Sequence, residues 1–410
     1  MNESDAVPPL GAASDRALSR VVRAESARIT AALTSSLGNF DLAEEAVADA
    51  VAEALVQWRR TGIPANPAGW LTVAARHNAL DRLRRDKRYR QKLEILATTV
   101  PAEESERDER LPLLFGCCHP ALTASAQLAL TLRAVCGLTT EQIAKATVST
   151  PTAVGQRIVR AKRKIGAAGI PLRVPLGAER APRLDLVLTV ISVMYNEAHL
   201  VPGGDAGADR DVAEDALWLA EVVAQALPGE PEAWGLVALL KFHRSRESAR
   251  SVDGDIVLLA DQDRSRWDAA LQAEAHRALA VAAALRRPGR WQLHAAIAAC
   301  HADARRYAET DWPQILVLYD MLLGYDSSAM IRLNRAVAIG ETGDVVGALA
   351  VVDGLRDELQ RFHLWHAVRA DLLGRLGREA EAALALREAH ELTANEAERR
   401  LLRSRGRIDL

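Results

Sequence analysis

The chain has 410 residues, a length that favours two or three domains over one. Hydrophobic residues make up 49% and aromatic residues only 4%, with Ala, Leu and Arg dominant, so the composition predicts an all-α protein with enough apolar surface to bury a core. A net charge of −2 excludes a uniformly basic nucleic-acid coat and an acidic tail protein, while leaving room for strong local asymmetry.

Residues 1–13 read as a disordered lead-in with Glu3 and Asp5 and no apolar h-region, so no signal peptide is expected. Helical periodicity begins at about residue 14. Asp41 and Glu44 have capping-box spacing and open a predicted helix through Trp58, with Leu42, Val47, Val51, Leu55 and Trp58 near one face. Glu44, Glu45, Asp49 and Glu53 fall mostly on the exposed side. Thr61–Gly69 reads as a Pro- and Gly-rich loop. The next helix starts near Trp70 and becomes basic: Arg76, Arg82, Arg84, Arg85, Lys87, Arg88, Arg90 and Lys92 are opposed only by Asp81 and Asp86.

The sign then reverses. Residues 93–111 carry Glu103, Glu104, Glu106, Asp108 and Glu109 and read as a solvated linker. A second helical unit follows over 112–166. Within it, Thr139 and Gln142 form a capping box on a short helix, and a turn passes through Val148 and Ser149. Thr150 then caps a second helix with Pro151 at its first position. Val154, Ile158 and Ile165 face its core side; Ala153, Arg157, Arg160 and Lys164 share another face, with Thr152 and Gln156 beside them. Lys162 and Arg163 complete five cations between Arg157 and Lys164, with no acid among them. A polar helix N-terminus followed by a cationic body suits a major-groove reader, because N-terminal side chains meet base edges while Arg and Lys hold phosphates.

Residues 167–183 read as a linker, and 184–410 as an Ala- and Leu-rich helical domain. Asn334–Ala336 aligns with Val368–Ala370, Gly340 with Gly374, Gly343 with Gly377 and Ala348 with Ala382, each 34 positions apart. That is the tetratricopeptide period, with two helices per copy and Gly at the turn. Pro231–Leu240 reads as the start of a degenerate earlier unit, and Asp253–Trp267 as an interruption.

The segment Asn66–Arg85 (NPAGWLTVAARHNALDRLRR) resembles the promoter-recognising helix of domain 2 in extracytoplasmic-function sigma factors of bacterial RNA polymerase. Ala43–Trp58 is similar to that family's polymerase-docking helix, and Leu138–Ala144 with Val154–Lys164 resembles its domain 4. CCHPALT (Cys117–Thr123), VMYNEAH (Val193–His199), DQDRSRW (Asp261–Trp267), TDWPQILVLYD (Thr310–Asp320) and LNRAVA (Leu333–Ala338) resemble a subgroup with a long tetratricopeptide-like C-terminal extension.

The resemblance implies two small sigma domains, 14–92 and 112–166, followed by the repeat domain 184–410. It implies docking of core polymerase, at its β′ clamp, on Glu44, Glu45, Asp49 and Glu53. It implies opening and reading of the minus-ten promoter element by domain 2, for which Trp70, Arg76, Asn78, Arg82, Arg84, Arg85, Lys87 and Arg88 are the candidates. Minus-thirty-five duplex binding falls to Thr152, Ala153, Gln156, Arg157, Arg160, Lys162, Arg163 and Lys164. An intramolecular contact of the C-terminal domain with the sigma domains is expected to regulate activity in cis.

The residues point away from an enzyme. There is no P-loop, no dinucleotide glycine motif and no H-E-x-x-H. Tyr195, Glu197 and His199 read as a packed helix end, and Cys117, Cys118 and His119 as helix packing before Pro120 rather than a metal or redox site. His363 and His366 share a helix face without ligand company. No metal, cofactor or membrane contact is expected, and a cytoplasmic location is. A helix-turn-helix regulator with a ligand- or peptide-sensing repeat domain, and a plain repeat scaffold, are the rival readings. The separate cationic helix at 76–92 argues for the first reading, because a simple repressor needs no strand-opening helix.

Overall fold

The computed structural model describes residues 10–85, 110–147, 149–199 and 212–406. The chain is all-α, with one two-residue hairpin pair as its strand content among the described residues. It divides into two compact units, 1–194 and 195–410.

The first unit opens with α1 (Leu10–Leu37), α2 (Phe40–Thr61) and α3 (Pro67–Arg85). Residues 10–13 are helical where a structureless lead-in was expected, because Ala12 and Ala13 extend the helix-favouring run that follows. Asn39, not Asp41, caps α2: its side chain accepts from the Leu42 amide at 3.2 Å. That displaces the expected Asp41–Glu44 box and leaves Glu44 available for tertiary contacts. The buried stripe of α2 is also narrower than read from sequence: Ala43, Ala46, Val47, Ala50, Ala54 and Trp58 are buried, while Leu55 is 37% exposed. Small Ala side chains let α1 and α3 approach closely, and Leu33, Leu37, Leu71, Ala75, Ala79 and Leu83 close the cluster. The loop between α2 and α3 is short, since Pro67 starts α3 at the position where proline's missing N–H costs nothing.

Next come α4 (Arg110–Cys117), α5 (Ala124–Ala134), α6 (Thr140–Ala146) and α7 (Pro151–Ala167). α5 packs on α4, α6 and α7, and α6 on α7. Leu113, Leu114, Phe115, Leu130, Leu132 and Leu138 are buried, as are Cys117, Cys118 and Cys136. Burial pushes the Cys118 thiol up to about 12, with its Sγ 3.6 Å from the Thr131 hydroxyl. After α7 the chain runs to α8 (Arg180–His199), with Pro182 tolerated in the helix's first turn. The Arg183 guanidinium donates to the Phe115 carbonyl at 2.5 Å and ties the start of α8 to the end of α4.

The second unit contains α9 (Val212–Ala226), α10 (Pro231–Ser245), the short α11 (Glu247–Arg250), α12 (Ala269–Ala284), α13 (Arg290–Asp303) and α14 (Trp312–Leu322). It continues with α15 (Ala329–Glu341), α16 (Val345–Gly354), α17 (Arg356–Leu359), α18 (His363–Arg375), α19 (Glu379–Leu392) and α20 (Glu396–Gly406). The interruption at 253–267 is a hairpin, β1 (Ser251–Val252) with β2 (Asp255–Ile256), turned by Asp253 and Gly254 at positive φ and followed by a 3-10 turn at Arg264–Arg266.

The 34-residue period is visible as paired helices. α15 and α18 begin at Ala329 and His363, and α16 and α19 at Val345 and Glu379. Gly343 (φ 103°) and Gly377 (φ 73°) make the two turns in the left-handed region that favours glycine. The period extends to charge: Arg335 pairs with Asp320 at 2.6 Å, and Arg369 with Asp353 at 2.7 Å, each reaching back to the preceding long helix. Leu333, Ala336, Leu349, Val352, Trp365 and Leu372 form the shared core.

Candidate nucleic-acid interface

α6 and α7 build the helix-turn-helix, and their caps explain why the chain turns there. The Thr139 hydroxyl accepts from the Gln142 amide at 3.2 Å, while the Gln142 side chain accepts from the Thr139 amide at 2.9 Å. Thr150 repeats the device, its hydroxyl accepting from the Ala153 amide at 3.2 Å, with Pro151 starting α7. Val154, Ile158, Ala161 and Ile165 bury one face of α7.

The other faces of α7 carry the candidate contacts. Thr152 and Gln156 are exposed near the N-terminus, and Ala153 is half-buried. Arg160, Arg163 and Lys164 are exposed further along; Arg160 curls back to donate to the Gln156 carbonyl at 3.2 Å. Arg157 is half-buried, donating to the Ser149 hydroxyl at 3.2 Å, which fixes it against the turn. Lys162 departs from this group. Its side chain is only 11% exposed, lies 5.0 Å over the Phe40 ring, and pairs with Glu44 and, at 3.3 Å, with Asp41. Arg133 of α5 joins it, reaching Glu44 at 3.2 Å while donating to the Leu138 carbonyl at 3.0 Å.

α2 and α3 make a second charged seam. Arg82 holds Asp49 through two donors, at 3.1 and 2.7 Å, and Glu45 at 2.5 Å. These carboxylates raise its pKa, the Asp49 hydrogen bond most. Arg84 pairs with Asp81 on its own helix at 3.1 Å, and both are solvent-accessible. Trp70 is partly buried edge-on against Trp58, with centroids 5.7 Å apart. Asn78 is half-buried, with its Nδ2 lacking a hydrogen-bond partner among the described residues. Arg76 is half-buried, and Glu53 is exposed on α2. Arg85 ends α3, while Lys87, Arg88 and the acidic stretch from Glu103 to Glu109 lie outside the described residues.

Thus three of the four acids expected to meet polymerase are already engaged by the chain's own cations, two of which (Arg82 and Lys162) are candidates for DNA. Arg133 was missed from sequence, as a single Arg in a Leu-rich helix carries no signal. The turn of Lys162 was legible: it follows Ile158 by four and Val154 by eight residues, which puts it at the edge of the buried stripe and away from Arg160 and Lys164.

A capped helix-turn-helix with an exposed polar and cationic second helix suits DNA binding, and residues 113–165 match the family described as Sigma-70, region 4, which indicates a sigma-factor-like DNA-binding role. An uncharacterized protein of Rhizobium meliloti (strain 1021) is 40% identical over 384 residues, covering 91% of each chain; this chain belongs to the same family. Residues 183–283 match a family of unknown function, DUF6596. No solved structure matches the chain. No helix among the described residues is long and apolar enough to cross a membrane.

Proposed function

We propose that the chain is a dissociable sigma subunit of RNA polymerase of the extracytoplasmic-function type, acting in the cytoplasm, with its tetratricopeptide-like domain at 184–410 regulating it in cis. The carrying observation is α7: a capped, Pro-led helix with Thr152 and Gln156 exposed at its start and Arg160, Arg163 and Lys164 exposed along its body. That arrangement suits the minus-thirty-five duplex, with base edges at one end and phosphates along the other. α3 supplies Arg76, Asn78 and Arg84 for the minus-ten element, with Lys87 and Arg88 continuing the basic run.

The acids of α2 fit the polymerase-docking role in a specific way. Glu44 is neutralised by Lys162 and Arg133, and Asp49 by Arg82. In the free chain the proposed polymerase surface and part of the proposed DNA surface therefore satisfy each other. Engagement of both targets exchanges these internal pairs for external ones, so little net charge has to be desolvated at once. The chain itself supplies binding and strand separation, and the polymerase supplies phosphoryl-transfer chemistry.

Run-off transcription with purified core polymerase and promoter-bearing genomic fragments tests the reading. Adding the full chain is expected to yield discrete promoter-specific transcripts, and Arg157→Ala with Arg160→Ala is expected to weaken duplex binding and lower its salt slope by about one phosphate each. Absence of any specific transcript together with an unchanged salt slope would reject it.

A further inference from the structure

The second unit holds a cavity of about 280 Å³ whose lining the sigma reading leaves unused. It lies between α10, the segment after the hairpin, α13, α14 and α15. Its polar lining is His243, Arg246, His294, His301, Tyr319 and Asn334, and no carboxylate is among the described residues that line it. Phe242, Trp267, Ile297 and Leu239 make its apolar wall. Trp267, Tyr319 and Asn334 come from three of the short phrases singled out in the sequence, DQDRSRW, TDWPQILVLYD and LNRAVA, which lie far apart in the chain and meet around this hollow.

The hydrogen-bond balance is one-sided. Among the described residues Arg246 makes no ion pair, and its Nε is buried without an acceptor. Its charged neighbours Arg250 and Arg264 are also cationic, and burial with these charges presses the guanidinium down to about 10. Among the described residues Trp267 Nε1 and Arg264 Nη2 are buried donors without acceptors, and His301 Nδ1 is buried without a partner. Burial, then Arg246 and Arg264, holds His301 down to about 4, so its imidazole is neutral and keeps one N–H to give. Arg264 is fixed in place, stacked 4.7 Å over Trp267 and donating to the carbonyls of His301 and, at 2.7 Å, Ala304. A sheltered guanidinium with no counter-charge among the described residues is costly to a fold, and the lining offers it neutral acceptors only, such as the Asn334 amide oxygen.

We propose that this cavity binds a small organic acid, whose carboxylate takes the Arg246 guanidinium and the neighbouring Trp267 and His301 nitrogens, and whose apolar body lies against Phe242 and Ile297. A carboxylate brings acceptors and a negative charge, which the unpartnered Arg246 and Trp267 donors require, and a charged guanidinium is its strongest partner. The cavity's size fits a ligand of one or two rings. The assignment concerns residues 239–334 alone and stands independently of the sigma reading.

The test is thermal melting of the full chain at constant ionic strength in sodium chloride, sodium benzoate, sodium indole-3-acetate, sodium phosphate or neutral benzamide. Millimolar benzoate or indole-3-acetate is expected to raise the melting temperature by about 2 °C or more over chloride, and benzamide is not. Arg246→Met is expected to melt above the wild type in chloride, because it removes the uncompensated charge, and to lose the increment. Ala298→Phe, which fills the hollow and keeps the charge, is expected to lose it too. No increment with either aromatic acid overturns the site, as does an increment that survives both substitutions. An equal rise with phosphate overturns the apolar-body half of the assignment.

Discussion

Two seams in this molecule are held by different physics. In the first unit, α2 meets α7 through Lys162, Glu44, Asp41 and Arg133, charges at a solvent margin. In the second unit, α15, α16 and α18 meet through Leu333, Ala336, Leu349, Val352, Trp365 and Leu372, with the Arg369–Asp353 ion pair outside that core. Charge pairs at a margin are weakened by salt and can be replaced by other partners of the same sign, whereas buried apolar surface has no substitute in water. The first seam is suited to being exchanged and the second to staying shut.

Removing the largest piece of the apolar seam should be the severest test of that contrast. Trp365 is 1% exposed and its Nε1 donates to the Val352 carbonyl at 2.7 Å. Trp365→Ala is expected to cost about 3–5 kcal/mol in denaturant-induced unfolding, and a loss below 1 kcal/mol would mean that the seam is loosely packed.

Acid should come next. Burial and the positive neighbours Arg246 and Arg264 depress His301 to about 4, against 6.5 in the open chain, and burial also lowers His294. Below 6.5 the unfolded chain therefore takes up protons that the folded one refuses. Stability is complete above pH 6.5 and falls as pH drops toward 4, by at most about 3 kcal/mol from His301. Urea titrations across that range check it, and His301→Gln should flatten the profile.

The charged seam predicts a smaller, salt-dependent effect. Glu44→Gln leaves Lys162 with the more exposed Asp41 and should loosen α7 from α2 by about 1–2 kcal/mol. Hydrogen exchange at α7 amides reads it directly: raising sodium chloride from 0.1 to about 1 M, which shortens the screening length to about 3 Å, should lower wild-type protection toward that of the variant and change the variant less. Insensitivity of the wild type to salt would collapse the contrast. Smallest is Gly377→Ala, which places a side chain at φ 73° and should cost about 1 kcal/mol in the same unfolding assay.

Much of this architecture was legible because it rests on local rules. The Thr139–Gln142 box, the Thr150–Pro151 start and the 34-residue spacing of Gly343 and Gly377 are short-range signals, and they fixed two helices and two turns. The cap of α2 was misread because Asp41 and Glu44 have the right spacing, while Asn39 two residues earlier captures the backbone amide. What stayed hidden was tertiary: the pairing of Glu44 with Lys162 and Arg133 joins residues 118 and 89 positions apart, and no local pattern encodes it. The cavity was hidden as well, since its lining is drawn from five separated segments and no local pattern says that they close round a hollow.

The hairpin at 251–256 has a consequence for how this array can change in length. Arg400 of α20 grips it, with Nε 2.5 Å from Asp255 and Nη2 donating to the Gly254 carbonyl at 2.9 Å. In stacked helix pairs each unit contacts only its neighbours, so the array tolerates added units where no contact skips a repeat. Here a pair inserted after α19 would carry α20 away from its anchor, so lengthening the array at that point costs the Arg400 contacts.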